Sequence, residues 1–198
     1  MCGRYVLRHP TQELLDYFRL SDFADQFLPG FNIAPTQRIP VVYRDEENGV
    51  AVRSVRWGLI PSWSQPGQKL PLMINARCET IASKPVYRSA FANRRCIIPA
   101  SGYYEWQKLP NGVKQPYYIF RKDGCPMAFA GIWESKTDGD DTTFSSALVT
   151  TVAGPETEKI HDRMPVLLRE DEWDAWLGAE KLSESAREAL FTPERPFS

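Results

Sequence analysis

The chain has 198 residues, of which 42% are hydrophobic and 25% are charged, and its formal net charge is -1. This composition is typical of a globular domain and excludes collagen-like, disordered and coiled-coil classes. No stretch approaches the roughly 20 apolar residues that a membrane helix requires, and the amino terminus lacks the apolar segment of a signal peptide. We therefore expect a cytoplasmic protein that has no membrane association.

The first half of the chain is predicted to combine short helices, strands and one long loop. Apolar residues at Leu14, Leu15 and Phe18 share one face of the first helix. The irregular segment is long enough that we expect it to be functional. In chain order, the predicted elements are a helix that opens at 10–13, a loop at 32–36, strands at 39–44 and 50–57 joined by a polar turn, an irregular segment at 57–75, and a helix at 79–95 that is interrupted near Pro85.

The second half is predicted to be rich in strands. Hairpin turns are indicated at Asn111-Gly112, at Asp123-Gly124 and around Gly139. Sequential hairpins with separate helices favour an α+β fold, built on one curved and mainly antiparallel sheet in a single domain spanning 1–198. The predicted strands are 96–98, 102–108, 117–121, 127–134 and 142–151, and the predicted helices begin at 155–160 and cover 170–177.

The charges are distributed unevenly along the chain. Residues 1–99 hold 13 Lys and Arg against 8 Asp and Glu, whereas residues 100–198 hold 11 against 17. A localised basic face binds phosphates whatever the total charge, although a solvated basic face is an equally good interpretation. Between Asn48 and Tyr104 one acid, Glu79, accompanies eight bases: Arg53, Arg56, Lys69, Arg77, Lys84, Arg88, Arg94 and Arg95.

The cysteines and histidines do not have the spacing of a metal site. Cysteines stand at positions 2, 78, 96 and 125, and the two histidines are His9 and His161. Structural zinc sites usually pair ligands two to four residues apart, and disulfide frameworks are typical of small secreted chains. We therefore expect free thiols, no metal and no cofactor.

Cys2 is the first candidate for chemistry. Initiator methionine is generally removed when the second residue is small, which would leave a thiol and an α-amine on one residue. An α-amine has a reference pKa of about 7.7 to 8.0, so part of it is nucleophilic at neutral pH. With an aldehyde the amine forms a Schiff base, and the adjacent thiol closes a thiazolidine ring with a high effective molarity. The alternative is a small residue that is merely tolerated after Met1.

Four further side chains are candidates for proton transfer, hydrogen bonding or phosphate binding. His161 could carry protons near neutral pH, or could be a surface or capping residue. Glu105 lies between large rings, which favours partial desolvation and acid–base work, although simple strand alternation also explains it. Asn75 could donate to a reacting oxygen and Arg77 could hold a phosphate, but an asparagine in a turn is the simpler interpretation.

The tryptophans are candidates for contacts with unpaired bases. Trp57, Trp63 and Trp106 could all belong to the core. Trp63 stands in a segment rich in Pro, Ser and Gly, which makes it the better candidate for stacking on a base.

Seven sequence blocks together resemble the SOS-response-associated peptidase (SRAP) family. They follow the order of the family and cover roughly residues 2 to 168. The first block combined with the histidine block is highly specific. The blocks are MCGRY at 1–5, NIAPT at 32–36, WGLIP at 57–61, NARCET at 75–80, CIIPA at 96–100, GYYEW at 102–106 and HDRMP at 161–165.

The resemblance implies a barrel-like SRAP fold and a covalent sensor of abasic sites in single-stranded DNA, which shields the lesion. Carried over to this sequence, Cys2 is the nucleophile and Asn75 positions the reacting end. Glu105 assists Schiff-base chemistry and crosslink reversal, and His161 assists opening of the sugar ring. The residues that the resemblance places along the DNA are Arg4 and Arg77 on phosphates, and Asn32, Pro35, Thr36, Trp63 and Trp106 along the path of the strand.

Three functions remain open from the sequence alone. The first is the crosslinking sensor, acting as a monomer in the cytoplasm and at the nucleoid when bound to DNA. The second is an amino-terminal-nucleophile peptidase that uses Cys2 to remove its own Met1. The third is a reversible binder of single strands, which would be sensitive to salt and indifferent to a missing base.

Overall fold

A computed structural model describes residues 2–21, 29–45, 49–65 and 67–193. Its helices are α1 (Thr11–Phe18), α2 (Arg88–Asn93), α3 (Trp173–Leu177) and α4 (Glu184–Phe191), and a 3-10 turn at Glu170–Glu172 precedes α3. Its strands are β1 (Tyr5–Leu7), β2 (Gly30–Ile33), β3 (Arg38–Asp45), β4 (Gly49–Trp57), β5 (Asn75–Arg77), β6 (Arg95–Ala100), β7 (Gly102–Lys108), β8 (Lys114–Ile119), β9 (Met127–Asp138), β10 (Asp141–Val152), β11 (Arg163–Pro165) and β12 (Leu167–Leu168).

Five strands close into a barrel in the order β10, β4, β3, β6 and β9, with β9 pairing back to β10. The pairing of β4 with β10 is parallel and the other pairings of the ring are antiparallel. Inside the ring the side chains pack closely: a Cβ on Gly131 would lie 2.9 Å from Ile98 and 3.0 Å from the Cys96 sulfur. Closure leaves the central strands with hydrogen-bonded neighbours on both sides, so the barrel is a rigid support. The predicted α+β class with a curved, mainly antiparallel sheet is confirmed.

A second sheet, in the order β2, β1, β7 and β8, lies against the barrel. Tyr5 on β1 pairs with Tyr103 on β7, and both rings contact Phe129 of the barrel at centroid distances of 6.3 and 5.9 Å. Successive side chains of a strand point to opposite faces. Tyr103 and Glu105 are therefore buried towards the barrel, whereas Trp106 is exposed on the outer face.

Several predicted elements differ from the structure. The predicted helix at 79–95 contains only the six-residue α2, and a series of turns precedes it. Residues 155–160 also form turns, because the amides of Thr157 and Glu158 both donate to the carbonyl of Gly154. Asn32 and Ile33 belong to β2 and not to a loop, because Ile33 pairs with Tyr5. Helix α4 was not predicted from the sequence.

The turn at Asp123-Gly124 does not close a hairpin. Gly124 adopts a φ of 75°, as the turn signal predicts, but β8 pairs with β7 while β9 pairs with β6, β10 and β12. The segment therefore carries the chain from the second sheet into the barrel. By contrast, the predicted hairpins at Gly112 and Gly139 join β7 to β8 and β9 to β10.

No helix within the described ranges is long and apolar enough to span a membrane. Among the same residues, no group of three or more His, Cys, Asp and Glu side chains is placed to hold a metal ion. All four cysteines are free thiols.

One residue of the basic stretch, Arg95, belongs to the interior. Its guanidinium donates to the carbonyls of Trp176 at 2.6 Å, Phe91 at 2.9 Å and Glu180 at 2.8 Å, and also to those of Ala92 and Gly178. This side chain joins α2 to the end of α3. A buried arginine with its donors satisfied by carbonyls serves the fold, so Arg95 is not part of a phosphate-binding face.

We expect Arg95→Met to lower the free energy of unfolding by about 3 kcal/mol, because it leaves several buried carbonyls without a donor. Urea denaturation followed by tryptophan fluorescence measures the change. Arg88→Met, at an exposed position of α2, is the matched control and is expected to be within about 0.5 kcal/mol of the parent. Equal stability of the two variants would contradict the structural role.

Candidate functional site

The site is centred on Cys2, which is fully buried just before β1. Its backbone carbonyl accepts a hydrogen bond of 2.9 Å from the side-chain amide of Asn75. Its thiol points to the carbonyl of Arg4 at 3.8 Å, a weak donor contact. The amino-terminal segment is therefore fixed in place at the residue that carries the sulfur.

Asn75 is held firmly because it begins a strand and does not end a loop. Strand β5 pairs in parallel with β10, and Asn75 stands opposite Leu148. The amide of Leu148 donates to the carbonyl of Ile74, and the Tyr87 hydroxyl donates to the carbonyl of Asn75 at 3.2 Å. The amide that contacts Cys2 is thus fixed to the barrel wall.

Glu105 supplies a carboxylate on the buried side of β7. Its residue exposure is 2%, compared with 37% for Trp106 beside it. The alternation that the sequence offered as the simpler explanation for Glu105 is therefore present, and it is also what places the carboxylate in the site. Strand alternation and a place in the candidate site are therefore compatible interpretations of Glu105.

The electrostatics show that these groups share one buried environment. Burial, and secondarily the Glu105 charge, raises the pKa of the Cys2 thiol far above its usual range. Burial likewise raises the pKa of Tyr103, with smaller contributions from the charges of Cys2 and Glu105. Burial, and secondarily the Cys2 charge, also raises the pKa of the Tyr5 phenol. The resting thiol is consequently protonated at neutral pH.

Three polar atoms around Cys2 have no hydrogen-bond partner within the described residues: the hydroxyls of Tyr5 and Tyr103 and the side-chain oxygen of Asn75. Buried polar atoms without partners are rare and costly. These atoms lie beside a buried thiol and a carboxylate, where they are free to hydrogen-bond a polar ligand. The two tyrosines were missed as site residues, although both stand inside sequence blocks that point to the family.

His161 precedes β11 and is half-buried. Its Nδ1 accepts a hydrogen bond of 3.0 Å from the amide of Arg163, which leaves the proton of the neutral ring on Nε2. The Asp162 carboxylate lies 2.9 Å from the same Nδ1 and would accept from it in the protonated ring. The Nδ1 atom of His161 therefore lies within hydrogen-bond distance of both a backbone donor and a carboxylate.

A bidentate ion pair joins the histidine block to the asparagine block. The Arg163 guanidinium donates to Glu79 at 2.5 and 3.0 Å and to the Thr150 carbonyl at 2.7 Å. Arg163 follows His161 by two residues, and Glu79 follows Asn75 by four. The pair therefore fixes the separation of two candidate site segments across β10.

The candidate DNA contacts lie at or near the surface. Arg77 on β5 is exposed, and Arg4 is half-buried with one guanidinium nitrogen 2.7 Å from the carbonyl of Gly3. Trp63 is exposed in the long segment that follows β4. The side chains of Arg4, Arg77 and Trp63 are thus accessible to a bound strand.

In the block at 32–36, the first two residues end β2 and residues 34–36 form a bend attached to β4. Thr36 adopts a φ of 76°, in the left-handed region, and its amide donates to the carbonyl of Trp57 at 2.7 Å. Asn32 is exposed on β2, and Pro35 is half-buried. The strained backbone at Thr36 is held by the hydrogen bond to Trp57.

The basic stretch as a whole is not a single solvated face. Besides Arg95, Arg53 packs its guanidinium 4.4 Å from the Tyr43 ring and 4.1 Å from the Phe144 ring. Arg94 pairs with buried Glu134 at 2.6 Å. These arginines are engaged within the fold, which leaves Arg77 as the exposed base adjacent to Asn75.

The geometry defines a class of protein in which a cysteine at the start of the chain lies beside a side-chain amide and near a buried carboxylate, on a closed β-barrel. The chain belongs to the SOS response associated peptidase (SRAP) family, whose model matches residues 1–196.

Relatives and solved structures agree with this assignment. The chain is 36% identical to the abasic site processing protein YoaM of Bacillus subtilis, over 98% of this chain and 86% of that protein. It is 32% identical to the abasic site processing protein HMCES of Xenopus tropicalis, over 75% of this chain and 53% of that protein. A crystal structure of a protein from Bacteroides thetaiotaomicron superposes with a TM-score of 0.85 at 28% identity, covering 98% of this chain and 88% of that one.

The Glu79–Arg163 pair generates a prediction for acid stability. The hydrogen bond from Arg163 lowers the pKa of Glu79, so the pair stabilises the fold above the unfolded carboxyl pKa of about 4.3 and loses that contribution as pH falls through the lower folded value. Because Glu79 is 46% exposed, we expect Glu79→Gln to cost only about 1 kcal/mol at neutral pH. The cost should shrink below about pH 4.

Thermal or urea unfolding at a series of pH values measures this difference. Glu156→Gln, at an exposed position, is the control and should show no pH-dependent difference from the parent. A Glu79→Gln penalty that persists undiminished at low pH would show that the ion pair is not its source.

Proposed function

We propose that this protein captures abasic sites in single-stranded DNA as a covalent crosslink through a processed amino-terminal Cys2. The observation that carries the proposal is the convergence of buried Cys2, the Asn75 amide and buried Glu105 at the start of the chain. The names of the relatives, which are abasic site processing proteins, support the same substrate.

The first step requires an aldehyde and a free amine. An abasic sugar is a cyclic hemiacetal that opens when the proton of its C1′ hydroxyl leaves and its ring oxygen gains a proton. We assign this proton transfer to His161, an imidazole whose Nδ1 lies beside the Arg163 amide and the Asp162 carboxylate. Once Met1 is removed, the α-amine of Cys2 adds to the aldehyde carbon, and loss of water gives a Schiff base.

The second step closes the ring. The Cys2 sulfur bonds to the Schiff-base carbon, the C=N bond becomes a single bond, and the thiol proton is transferred to nitrogen. Because burial keeps the thiol protonated at rest, a neighbouring base must carry this proton, and the Glu105 carboxylate is the adjacent group. The same carboxyl returns the proton to sulfur when the crosslink reverses.

Asn75 orients the reacting end. Its amide fixes the Cys2 carbonyl at 2.9 Å, so the sulfur and nitrogen of that residue are presented to the substrate in one orientation. Restricting rotation about the terminal residue raises the effective concentration of both nucleophiles at the aldehyde.

The DNA contacts follow from the same placement. Arg4 and Arg77 flank Cys2 and Asn75 and would hold phosphates, while Asn32, Pro35, Thr36, Trp63 and Trp106 would guide the strand. The C1′ carbon must reach a chain terminus inside the protein, which a stacked duplex would not permit without extruding the sugar. A single strand meets this requirement, and the protein would be found in the cytoplasm, and at the nucleoid when it is bound to such DNA.

The proposal is tested by incubating the processed protein with an oligonucleotide that contains one abasic site, followed by a denaturing gel. We expect a heat-stable shifted band for the parent and none for Cys2→Ala. Cys125→Ala, which removes a partly exposed thiol outside the site, is the matched control and should crosslink fully. A purely reversible binder would give no band with any variant, and an equally stable band from Cys2→Ala would refute the role of the sulfur.

Extension of the amino terminus separates chemistry from binding. We expect a chain that retains Met1, or carries one extra residue before Cys2, to lose crosslinking by at least about a hundredfold, because its α-amine is no longer adjacent to the thiol. Reversible affinity for an intact oligonucleotide, measured by fluorescence anisotropy, should change less than about twofold. Equal loss of both would mean that the terminus serves binding.

Removal of Met1 by the protein itself is a second candidate activity, favoured by the buried carboxylate beside the Cys2 thiol. In this reaction water hydrolyses the Met1–Cys2 peptide bond and releases methionine. Intact-mass measurement of freshly made Glu105→Ala and His161→Ala proteins decides the question. Retained Met1 in these variants would support self-cleavage, whereas complete loss in both would assign the step to a host aminopeptidase.

A further inference from the structure

The outer face of the second sheet carries a row of aromatic rings that the proposed chemistry does not use. Tyr104 on β7 stands opposite Tyr118 on β8, and Phe120 follows β8 directly. The Tyr104 and Tyr118 ring centroids are 5.1 Å apart, and Tyr118 and Phe120 stack at 5.2 Å with 16° between their planes. We call Tyr104, Tyr118 and Phe120 the aromatic row.

The row lies on the solvent side of the sheet. Phe120 is 54% exposed and Tyr118 is 37% exposed. The Tyr118 ring lies against the backbone of Gly102, where any Cβ would approach within 2.7 Å of the ring. Its hydroxyl is fixed to the carbonyl of Ser101 at 3.2 Å. The rings are therefore held in place and not merely flexible surface side chains.

The charge around the row is positive. Arg4, which directly precedes β1, lies beside Tyr104, and its carbonyl accepts from the Tyr104 amide. Burial raises the pKa of the Tyr118 phenol, but the nearby Arg8 charge opposes that rise. Residues 2–8 and 102–120 contain Arg4, Arg8, Lys108 and Lys114, and their one acid, Glu105, is buried on the opposite face.

The row lies on the opposite face of β7 from Glu105, and Arg4 connects it to the segment that carries Cys2. Alternation along β7 places Glu105 inward and its neighbours Tyr104 and Trp106 outward, and Arg4 follows Cys2 by two residues. A strand that leaves Cys2 past Arg4 would be led onto this outer face, because the Arg4 carbonyl accepts from the amide of Tyr104.

We infer that the aromatic row is a stacking surface for the intact bases that flank the lesion on one side. This inference rests on the proposed function, because it takes the abasic site to be held at Cys2. Aromatic side chains stack on any base, and the flanking cations offset the phosphates, so binding here is independent of sequence. The row would determine the affinity for the strand, and the groups around Cys2 would determine the capture of the sugar.

The test compares a variant without the flat rings with one that keeps them. Tyr118→Leu combined with Phe120→Leu retains apolar bulk, whereas Tyr118→Phe retains the ring and loses only the hydroxyl. Fluorescence anisotropy with an intact oligonucleotide should show at least about tenfold weaker binding for the double variant and less than about twofold change for Tyr118→Phe. Crosslinking at saturating concentration to an abasic trinucleotide, which is too short to reach the whole row, should be unchanged in both.

A positional readout completes the experiment. The fluorescence of 2-aminopurine is quenched by stacking, so the base placed successively on each side of the abasic site should be quenched on one side only, and the double variant should relieve that quenching. Unaltered affinity and quenching in the double variant would overturn the inference and leave the row to a protein partner. Equal loss in Tyr118→Phe would also overturn it. Failure of the parent to crosslink any abasic oligonucleotide would refute the proposed function instead.

If the double variant does not fold, Phe120→Leu alone serves, because this ring lies beyond the end of β8 and is half exposed. Its unfolding midpoint should match that of the parent. A binding loss of about threefold or more supports the inference, and no loss contradicts it.

Discussion

The hydrogen bond from the Asn75 amide to the Cys2 carbonyl is the interaction on which the site depends. It connects the amino-terminal segment to β5, a strand that is paired with β10, one of the two longest strands of the barrel. A chain terminus is ordinarily among the least ordered parts of a domain unless it is tied to the rest of the fold. Here the tie is made at the residue whose sulfur and nitrogen are proposed to react.

Strand alternation separates the two tasks of the second sheet. Along β7 the inward positions Tyr103 and Glu105 line the buried site, while the outward positions Tyr104 and Trp106 face solvent. A shift of register by one residue would move the carboxylate to the surface and an aromatic ring into the interior. The pairing of Tyr5 with Tyr103 and of Tyr104 with Tyr118 prevents that shift on both sides of the strand.

Much of this arrangement follows from the sequence, and the exceptions have physical reasons. The strand limits of β7 and the hairpin at Gly139 could be predicted because turn residues and alternation act locally. The absence of a hairpin between β8 and β9 could not be predicted from the sequence. It depends on the contacts that each strand makes with distant segments. The predicted helix at 155–160 is absent from the structure. Its residues form a series of turns, in which the amides of Thr157 and Glu158 both donate to the carbonyl of Gly154.

The candidate site shows the same division. Cys2, Asn75 and Glu105 could be singled out from residue chemistry and a family resemblance, and the structure brings them together. Tyr5 and Tyr103 could not, because a tyrosine in a strand ordinarily belongs to the core and only three-dimensional packing shows that its hydroxyl has no partner within the described residues. Arg95 was grouped with the surface bases, but its guanidinium is buried among carbonyls. No local sequence pattern indicates that burial.

The burial of the Cys2 thiol has a consequence beyond the bond that it is proposed to form. Peroxides oxidise a thiolate much faster than a protonated thiol, and a cysteine is oxidised more readily when it is accessible to solvent. A sulfur that is enclosed and kept in its neutral form resists conversion to sulfenic acid. If the proposed function holds, the sulfur is therefore protected from oxidants until the aldehyde of the abasic sugar binds beside it.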